Sequence, residues 1–316
     1  MARNSSQALP LHERQSNFGL VDFFKYFKRR SRYRVAIPIP SAILSHPVEL
    51  KRLKSKVSVS VIIPTRDNVD LLEKAVESVI ENSSNLDLEL IVINNGSTDP
   101  KSEKYFSLLR SNGHLVLEID EPFNFSKLCN EAIKIASKSL ICLMNNDVTV
   151  TTPTWAHSAN EHLRLNRVGM VGAILNYPSG AVQHAGIALG MNGIAGHIGR
   201  GDFPEELAWL QNDSCLRVSG ATFALVVIPK QIFEKVGGLD EKLPVGFNDV
   251  DFALRLKSFG YQTHICSKVR GVHLESATRP PLYTLRGFIR AFRDMVYILK
   301  KYSATNFIDS NVELRG

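Results

Sequence analysis

The segment SLICLMNNDVTV, residues 139 to 150, constrains the fold of this chain more than any other stretch. Its apolar run ends directly in Asn145, Asn146 and Asp147. An apolar run bounded by polar residues is typical of a buried strand in a parallel sheet. The two amides and the carboxylate would then lie at the carboxyl end of that strand, where open α/β sheets bind their ligands. Taken alone, the same residues are also compatible with an ordinary polar turn.

Three earlier segments repeat this arrangement of an apolar run followed by polar residues. The runs are VSVSVII (57 to 63), LELIVI (88 to 93) and HLVLEI (114 to 119). Stretches with helical apolar spacing lie between them, so the order is strand, helix, strand, helix. This alternation predicts a parallel sheet with right-handed crossovers. The four polar clusters are therefore expected to share one edge of the sheet and to form a ligand cleft.

Seven motifs carry a resemblance to a known family. They are, in chain order, SVIIPTRDN, INNGSTD, FNFS, LMNNDV, VQHAGIALG, GLDEKLPVGFNDVDFALRLKSFGY and VHLESATR. This ordered set, over about residues 57 to 279, resembles the family 2 glycosyltransferases, particularly the bacterial rhamnosyltransferase-like branch of surface polysaccharide biosynthesis. The resemblance implies an α/β protein of GT-A fold, with a Rossmann-like, mostly parallel central sheet flanked by helices.

Charge and periodicity divide the chain into three parts. Residues 1–56 are predicted to be a basic amphipathic extension and linker, 57–278 the GT-A domain, and 279–316 an amphipathic helical extension. Residues 20 to 34 and 279 to 301 each contain six Lys or Arg and one Asp, whereas the whole chain has a net charge of +7. Each flank could lie in an anionic membrane surface, or could pack its apolar side on the core or on a partner. The Pro-rich stretch IPIPSAILSHP is interpreted as a connector.

Composition excludes several classes of function. Because the basic residues concentrate in the flanks, the remainder of the chain is not basic and a nucleic-acid groove is disfavoured. The scattered Cys129, Cys142, Cys215 and Cys266 form no CxxC pair, so neither a zinc nor a disulfide framework is expected, and reduced thiols in a cytoplasm are the default. No signal-peptide core and no apolar run of about 18 residues is found, so the protein is expected to be neither secreted nor membrane-spanning.

The resemblance implies an inverting, metal-dependent hexosyl- or deoxyhexosyltransferase. The donor would be a UDP- or dTDP-sugar, and the acceptor a glycan or lipid-linked glycan such as O-antigen or capsule. The enzyme would act in the cytoplasm, peripherally at the inner face of the membrane. Two other functions stay open: a nucleotidyltransferase, and a catalytically silent glycan-binding or scaffolding protein of the same fold.

The metal and nucleotide sites follow from the same resemblance. Asp147 and His273 would hold a divalent cation, Mn²⁺ or Mg²⁺, although His273 could instead be a strand histidine. Asn94 departs from the aspartate that relatives commonly carry there, Arg66 could be a surface side chain, and a helix N-cap is an alternative role for Asn124 or Ser126. The predicted nucleotide-sugar contacts are Pro64, Thr65, Arg66, Asp67, Asn94, Asn95, Asn124, Ser126, Asn130, Asn145 and Asn146.

An acidic pair in GFNDVDFALRLKSFGY supplies the catalytic candidate. Asp249 and Asp251 stand in the first turn of a predicted helix, where negative charge is favoured by the helix dipole in any case. Because residues two apart on a helix point in different directions, the two carboxylates are expected to do different jobs. The resemblance assigns Asp249 as the general base, and Asp251 is interpreted as a structural or acceptor-positioning carboxylate.

The resemblance implies that the Gly-rich segment VQHAGIALGMNGIAGHIGRG and the next stretch, LRVSGATFALVVI, build the acceptor side of the cleft. The residues assigned to the acceptor side are His184, Ser219, Gly220 and Asp251. Metal binding by His184 and His197 is possible in principle, but core or loop roles are favoured. Trp209 could stack on a sugar or fill a hydrophobic gap.

Overall fold

The structure is a computed structural model that describes residues 35–44, 56–210, 215–274 and 285–315. The basic amphipathic segment predicted at residues 20 to 34 lies outside these ranges. The strands are β1 (Val35–Pro38), β2 (Ile43–Leu44), β3 (Val57–Thr65), β4 (Leu86–Asn94), β5 (Leu115–Glu118), β6 (Leu140–Met144), β7 (Val148–Val150), β8 (Val168–Asn176), β9 (Val182–His184), β10 (Ile187–Leu189), β11 (Ala195–His197), β12 (Cys215–Val218), β13 (Leu225–Pro229), β14 (Gln262–His273) and β15 (Val312–Arg315). The α-helices are α1 (Val69–Glu81), α2 (Pro100–Ser111), α3 (Phe125–Ile135), α4 (Trp155–Leu163), α5 (Lys230–Val236), α6 (Asn248–Ser258) and α7 (Leu285–Lys301).

One large sheet organises the protein. Its strand order is β2-β12-β14-β8-β13-β6-β3-β4-β5, with β7 paired to β14 and β9 paired to β8. The pairings among β6, β3, β4 and β5 are all parallel, as is the pairing of β8 with β14, whereas β13 runs antiparallel between β6 and β8. The predicted α/β class with a largely parallel sheet is confirmed. The carboxyl ends of β3, β4, β5 and β6 lie at one edge, as the strand pattern requires.

Helices cover both faces of the sheet because the side chains of its strands alternate. On β3, Val59, Val61 and Ile63 contribute to one apolar layer and Ile62 to the opposite layer, and all four are fully buried. Helix α1 packs Leu72 and the neighbouring apolar residues of its inner face into the first layer. The alternation therefore makes a continuous core of the kind expected for a parallel sheet covered on both sides.

The described part of the segment interpreted as a connector, residues 37–44, belongs to the folded structure. β1 pairs antiparallel with β15, with Val35 opposite Arg315 and Pro38 opposite Val312. β2 pairs with β12, so that Leu44 lies opposite Cys215. Strand partners for the described part of this stretch are therefore supplied by distant parts of the chain, which local composition cannot reveal.

Helix α7 packs against the sheet domain. Ile298 and Leu299 are buried in a cluster with Leu243 and Val250, and Phe292 is partly buried against it. Membrane contact and packing on the core were both considered for this flank. The described part of α7 packs on the core, and Ile289 on the same helix is 56% exposed. Within the described residues, no helix has the length and apolar character needed to cross a bilayer.

Candidate active site

A cleft of about 960 Å³ opens at the carboxyl ends of β3 and β6. Its volume lies in the range of small-molecule and cofactor sites. The predicted site residues that line it are Pro64, Thr65, Arg66, Asp67, Asn145, Asn146, Asp147, Asp249 and His273. The β10–β11 hairpin and the loop before α6 form the other walls, and the cleft therefore joins the predicted nucleotide, metal and base residues.

The floor of the cleft is fixed by contacts between strand ends. Nδ2 of Asn146 donates to Oγ1 of Thr65 at 2.9 Å, and both side chains are buried. The backbone N–H of Asn145 donates to the carbonyl of Ala224 at 3.0 Å. These bonds tie the polar turn after β6 to β3 and to the segment before β13, and they leave little freedom at this edge.

Asp67 lines the cleft, but its carboxylate also organises the neighbouring loop. Oδ1 accepts from the backbone N–H groups of Thr98 and Asp99 at 2.7 and 2.9 Å. The backbone N–H of Asp67 donates to Oγ of Ser97 at 2.8 Å. Asp67 therefore joins the loop after β3 to the loop after β4.

Asn94, the last residue of β4, and Asn95 after it are not among the residues that line the cleft. Nδ2 of Asn94 donates to Oε2 of Glu118 at 2.6 Å, and its Oδ1 accepts from the backbone N–H of Ser97. Nδ2 of Asn95 donates to the carbonyls of Ile119 and Glu121, both at 2.8 Å. The amide groups of Asn94 and Asn95 therefore link β4 to β5 and to the residues after it, and their N–H groups already have partners away from the cleft.

Three further predicted nucleotide contacts instead anchor the loop that leads to α6. Asn124 caps α3 by accepting from the backbone N–H of Lys127, the alternative weighed for this residue, and donates to the carbonyl of Glu241. Oγ of the buried Ser126 donates to the carbonyl of Leu243 at 2.7 Å. Nδ2 of Asn130 donates to the carbonyl of Leu239. None of the three lines the cleft, because α3 points them at residues 239 to 243.

Asp147 and His273 are brought together by strand register. β7 pairs antiparallel with β14, with Val148 opposite His273, and the backbone N–H of Leu274 donates to the carbonyl of Asp147. Oδ1 of Asp147 lies 3.1 Å from Nε2 of His273. Nδ2 of Asn145 is 3.5 Å from the same nitrogen. The two predicted metal ligands thus adjoin one another in a partly buried corner of the cleft.

Gln183 of β9, which the sequence analysis did not single out, sets the orientation of His273. Its Oε1 lies 2.6 Å from Nδ1 of His273, and its Nε2 donates to the backbone carbonyl of His273 at 3.4 Å. With the amide so oriented, Nδ1 donates its proton to Oε1 of Gln183, and Nε2 faces Oδ1 of Asp147. At 3.1 Å these two atoms can hold either a proton or a cation between them, so the pair fits a divalent cation.

Asp249 lies at the opening of α6, on the wall of the cleft. The preceding Phe247 has a left-handed backbone, with φ of 58°, which turns the chain into the helix. Oδ1 of Asp249 accepts from the backbone N–H of Val250 at 2.8 Å, a bond that satisfies part of the helix start. The capping role and a position in the cleft are therefore both observed for this carboxylate.

Asp251 is completely buried and does not line the cleft, contrary to its assignment on the acceptor side. Its Oδ2 accepts from Nε of Arg255 at 2.9 Å, and its Oδ1 lies 2.6 Å from Nζ of Lys301 and 2.8 Å from the hydroxyl of Tyr302. Lys301 also contacts Asp240 at 2.6 Å. The helical turn separates the two carboxylates as expected, and the inner one joins α6 to the end of α7.

α7 also reaches the loop before Asp249. Oδ2 of Asp294, a residue 1% exposed, accepts from the backbone N–H of Gly246 at 3.1 Å, and Gly246 lines the cleft. Burial opposes ionisation of Asp240, but bonds from Lys301 and Tyr297 outweigh it and lower the pKa of that carboxyl. The C-terminal helix therefore supports the loop that carries the candidate base.

A pair of histidines lies along the hairpin wall. The backbone N–H of Thr222 donates to Nε2 of His184 at 3.2 Å, and Nδ1 of His184 is 3.1 Å from Nδ1 of His197. Since Nε2 of His184 accepts, its proton is on Nδ1 and points at His197, whose own proton is then on Nε2. Burial, then the neighbouring His197 and His273, hold the pKa of His184 well below 6.5. His184 is fully buried behind the wall, and His197 lines the cleft.

The other acceptor-side residues serve packing in the described structure. Oγ of Ser219 accepts from Nδ2 of Asn311 at 3.4 Å. A Cβ on Gly220 would lie 3.0 Å from Cβ of Ala253, so the glycine allows α6 to approach the strand edge. Neither lines the cleft, whereas Gln183, His197, Thr222 and Phe247 do. Gln183 stands inside the motif VQHAGIALG and His197 in the Gly-rich segment that follows it, and only strand pairing shows that they face the site.

Comparison with known proteins identifies one matching family and two relatives of this chain. The family model for glycosyl transferase family 2 matches residues 60–206. The chain is 36% identical over 256 residues to the uncharacterized protein y4gI of Sinorhizobium fredii, and 35% identical over 231 residues to the O-antigen biosynthesis protein RfbC of Myxococcus xanthus. These matches cover 79% and 70% of this chain but only 28% and 18% of the relatives, so the chain spans less than a third of either.

Two solved structures share the fold. The mannosyltransferase PcManGT from Pyrobaculum calidifontis, in complex with GDP-Man and Mn²⁺, superposes with a TM-score of 0.54 at 17% identity, covering 90% of this chain and 71% of that one. GalNAc-T7 with UDP, GalNAc and Mn²⁺ also has a TM-score of 0.54, at 13% identity, covering 70% of this chain and 44% of that one.

Proposed function

This chain belongs to the family 2 glycosyltransferases, and we propose that it transfers a sugar from a nucleotide-sugar donor to a cell-surface glycan with inversion at the anomeric carbon. The observation that carries the proposal is that one cleft holds both the Asp147–His273 pair and the carboxylate of Asp249. A transferase of this kind needs a cationic group for the leaving pyrophosphate and a base for the acceptor.

The donor would bind along the carboxyl ends of β3 and β6. Pro64, Thr65 and Arg66 line this side of the cleft, and Asn145 and Asn146 follow β6. Because Asn94 is already bonded to Glu118 and Ser97, the recognition of a UDP or dTDP base falls to the segment after β3. The complexes of the two structural neighbours with GDP-Man and UDP support a nucleotide-sugar donor.

Asp147 and His273 would hold a divalent cation through Oδ1 and Nε2. Such a cation, Mn²⁺ or Mg²⁺, supplies positive charge that stabilises the departing pyrophosphate. Gln183 keeps the Nε2 lone pair of His273 directed at that position. The carboxylate and the imidazole together form a mixed O,N set, which Mn²⁺ accepts more readily than Mg²⁺ does.

Asp249 would act as the general base. Its carboxylate takes the proton of the acceptor hydroxyl while that oxygen forms a bond to the anomeric carbon. The bond from that carbon to the donor phosphate breaks, and the nucleoside diphosphate leaves with the electron pair. Attack from the face opposite the leaving group inverts the anomeric configuration.

The hairpin wall supplies a neutral donor to the sugar. The chain of bonds from Thr222 through His184 places the proton of His197 on Nε2. A neutral N–H at a cleft wall suits a sugar hydroxyl, which offers lone pairs and no charge. His197 therefore contributes to binding of the donor or acceptor sugar.

One relative supports a biological setting for the proposed activity. The similarity to an O-antigen biosynthesis protein supports a role in lipopolysaccharide or a related surface glycan. Such a glycan is built on lipid-linked acceptors, so the enzyme would act in the cytoplasm on the inner face of the membrane, with residues 20 to 34 as its basic contact.

The test is a screen of nucleotide sugars, including UDP- and dTDP-sugars, by thermal shift with and without Mn²⁺. Donors that stabilise the protein only with the cation are then assayed for hydrolysis and for transfer to glycan acceptors. Stabilisation followed by release of nucleoside diphosphate supports the proposal. Glycan binding without any turnover of a nucleotide sugar would favour a silent binding protein, and release of pyrophosphate from a nucleoside triphosphate would favour a nucleotidyltransferase.

A further inference from the structure

A second group of potential metal ligands lies in the core, outside the residues that line the cleft. His162 of α4, Cys215 of β12 and Cys266 of β14 are all buried, and their ligand atoms lie within 4.8 Å of one another. Nε2 of His162 is 3.0 Å from Sγ of Cys215. The glycosyl-transfer chemistry described above uses none of these side chains.

Strand register explains how ligands so distant in sequence meet. β12 and β14 pair antiparallel with Cys215 directly opposite Cys266, so both thiols project from the same face of the sheet. Helix α4 packs across β14 and β8 on that face and brings His162 to the pair. A CxxC spacing is therefore unnecessary, because the sheet supplies the proximity that such a spacing would supply locally.

A fourth nitrogen lies beside the group. His264 precedes Cys266 by two residues and so shares its face of β14. Its ring meets that of His162 edge-on with centroids 5.8 Å apart, and it is 3% exposed. Among the described residues, none is within hydrogen-bonding reach of its Nδ1. Buried polar atoms in proteins normally have a partner, so this nitrogen of His264 is available to bind a metal ion.

We propose that Cys215, Cys266, His162 and His264 form a structural site for a thiophilic divalent cation, with Zn²⁺ as the ion that fits best. Two cysteines and two histidines are a common structural zinc set. Two thiolates cancel the charge of the cation, and two neutral imidazoles add none. The complex is thus neutral, which a buried position requires.

Binding of the cation by the two thiols releases one proton from each cysteine to solvent, so both sulfurs are thiolates in the loaded site.

Metal binding requires the ligand side chains to move. Zinc bond lengths and tetrahedral angles imply a separation of about 3.6 Å between a sulfur and a nitrogen ligand. The distance of 3.0 Å between His162 and Cys215 must therefore open by roughly half an ångström, and the ring of His264 must rotate toward the group.

The test measures metal content in the full-length chain carrying Asp147→Ala, which removes the carboxylate of the cleft site. The protein is produced with zinc, dialysed against a weak chelator and assayed by mass spectrometry for metals. We expect about one zinc per chain. Cys215→Ser and Cys266→Ser should each reduce the zinc content more than about tenfold. The matched control is Cys142→Ser, a buried thiol of β6 outside the group, which should retain zinc.

A second measurement does not depend on the variants folding. Refolding the Asp147→Ala chain with Co²⁺ should produce thiolate-to-cobalt charge-transfer absorption, which a carboxylate–imidazole site cannot produce. His264→Phe should alter the cobalt ligand-field spectrum. The proposal is overturned by a zinc-free chain that shows no thiolate band, by zinc that persists in the double cysteine variant, or by an intact mass showing a disulfide between the two cysteines.

Discussion

Oε1 of Gln183 lies 2.6 Å from Nδ1 of His273, and this bond decides which nitrogen of the imidazole faces Asp147. Strand β9 carries Gln183, and β14 carries His273, with β8 between them. A side chain that has no ligand role of its own can therefore control the proposed metal site, since the tautomer of a ligating histidine is set by its outer partner.

Replacing Gln183 by alanine should weaken Mn²⁺ binding about 10- to 100-fold, because the histidine loses the partner that fixes its tautomer. Titration calorimetry with Mn²⁺ in the presence of UDP measures this directly. Asp147→Ala is the reference for loss of a ligand and should be more severe. Gln183→Glu keeps an acceptor opposite Nδ1 and should retain most of the affinity. Equal affinities for Gln183→Ala and the unchanged protein would show that the contact does not orient the site.

Substitution of Asp249 by asparagine should lower transfer at least about 100-fold while donor affinity stays near that of the unchanged protein. The amide keeps the size of the side chain and can still accept from Val250, so the helix start survives. Transfer kinetics and donor binding are measured side by side. Substantial transfer by this variant would remove Asp249 as the base.

Asp251→Asn should act on stability. The substitution leaves Lys301 and Arg255 around a buried amide that bears no charge, and breaking a buried ion pair costs about 3 to 5 kcal/mol of unfolding free energy. Urea unfolding followed by circular dichroism gives the difference. Asp249→Asn, two residues away, is the matched control and should change stability little. A stability loss confined to Asp249→Asn would reverse the two roles.

The side chain of His197 should be replaceable by glutamine but not by leucine. Glutamine can present an amide N–H near the position of Nε2, whereas leucine presents none, and a neutral hydrogen bond is worth about 0.5 to 1.5 kcal/mol, or up to roughly tenfold in affinity. Binding of the best nucleotide sugar from the screen separates the variants. Nitrogen-15 NMR of the unchanged protein should show His184 protonated on Nδ1 and His197 on Nε2. The opposite tautomers would disprove the proposed donor.

Acidification should destabilise the protein through His184. Its folded pKa is held well below 6.5, so the unfolded chain takes up a proton that the folded chain refuses. The stabilisation is complete above the unfolded pKa and is lost as pH falls toward the folded value. Urea unfolding between about pH 7 and pH 5 should show the decline, and His184→Leu should flatten it. An unchanged slope in that variant would place the acid sensitivity elsewhere.

Local sequence patterns predicted the sheet and part of the cleft. Alternating apolar runs placed β3, β4, β5 and β6 with their polar ends on one edge, and the motif containing Asp147 reached the site as expected. Asn94 was also predicted to contact the nucleotide. A polar residue at a strand end can face either the cleft or the neighbouring strand, and the strand pattern does not distinguish the two. Here Glu118 provides the nearer partner.

The residues that local reasoning missed depend on pairings between distant segments. Gln183 meets His273 because β9, β8 and β14 are neighbours, and the buried Asp251 contacts Lys301 and Tyr302 at the end of α7. Such partners are separated by tens of residues, so periodicity within a window cannot identify them. These contacts are determined by the register of strand pairs and by the packing of helices on the sheet.

Strand β2 also covers the edge of β12 that would otherwise be the edge of the sheet. Residues matched by the family model start at position 60, after β2, and stop at 206, before β12. A chain shortened at its amino-terminal side past Leu44 would leave the N–H and C=O groups of β12 at Cys215 and Leu216 open to strands of other molecules. Shortened versions of this protein would therefore tend to aggregate edge to edge, even with every residue of the cleft in place.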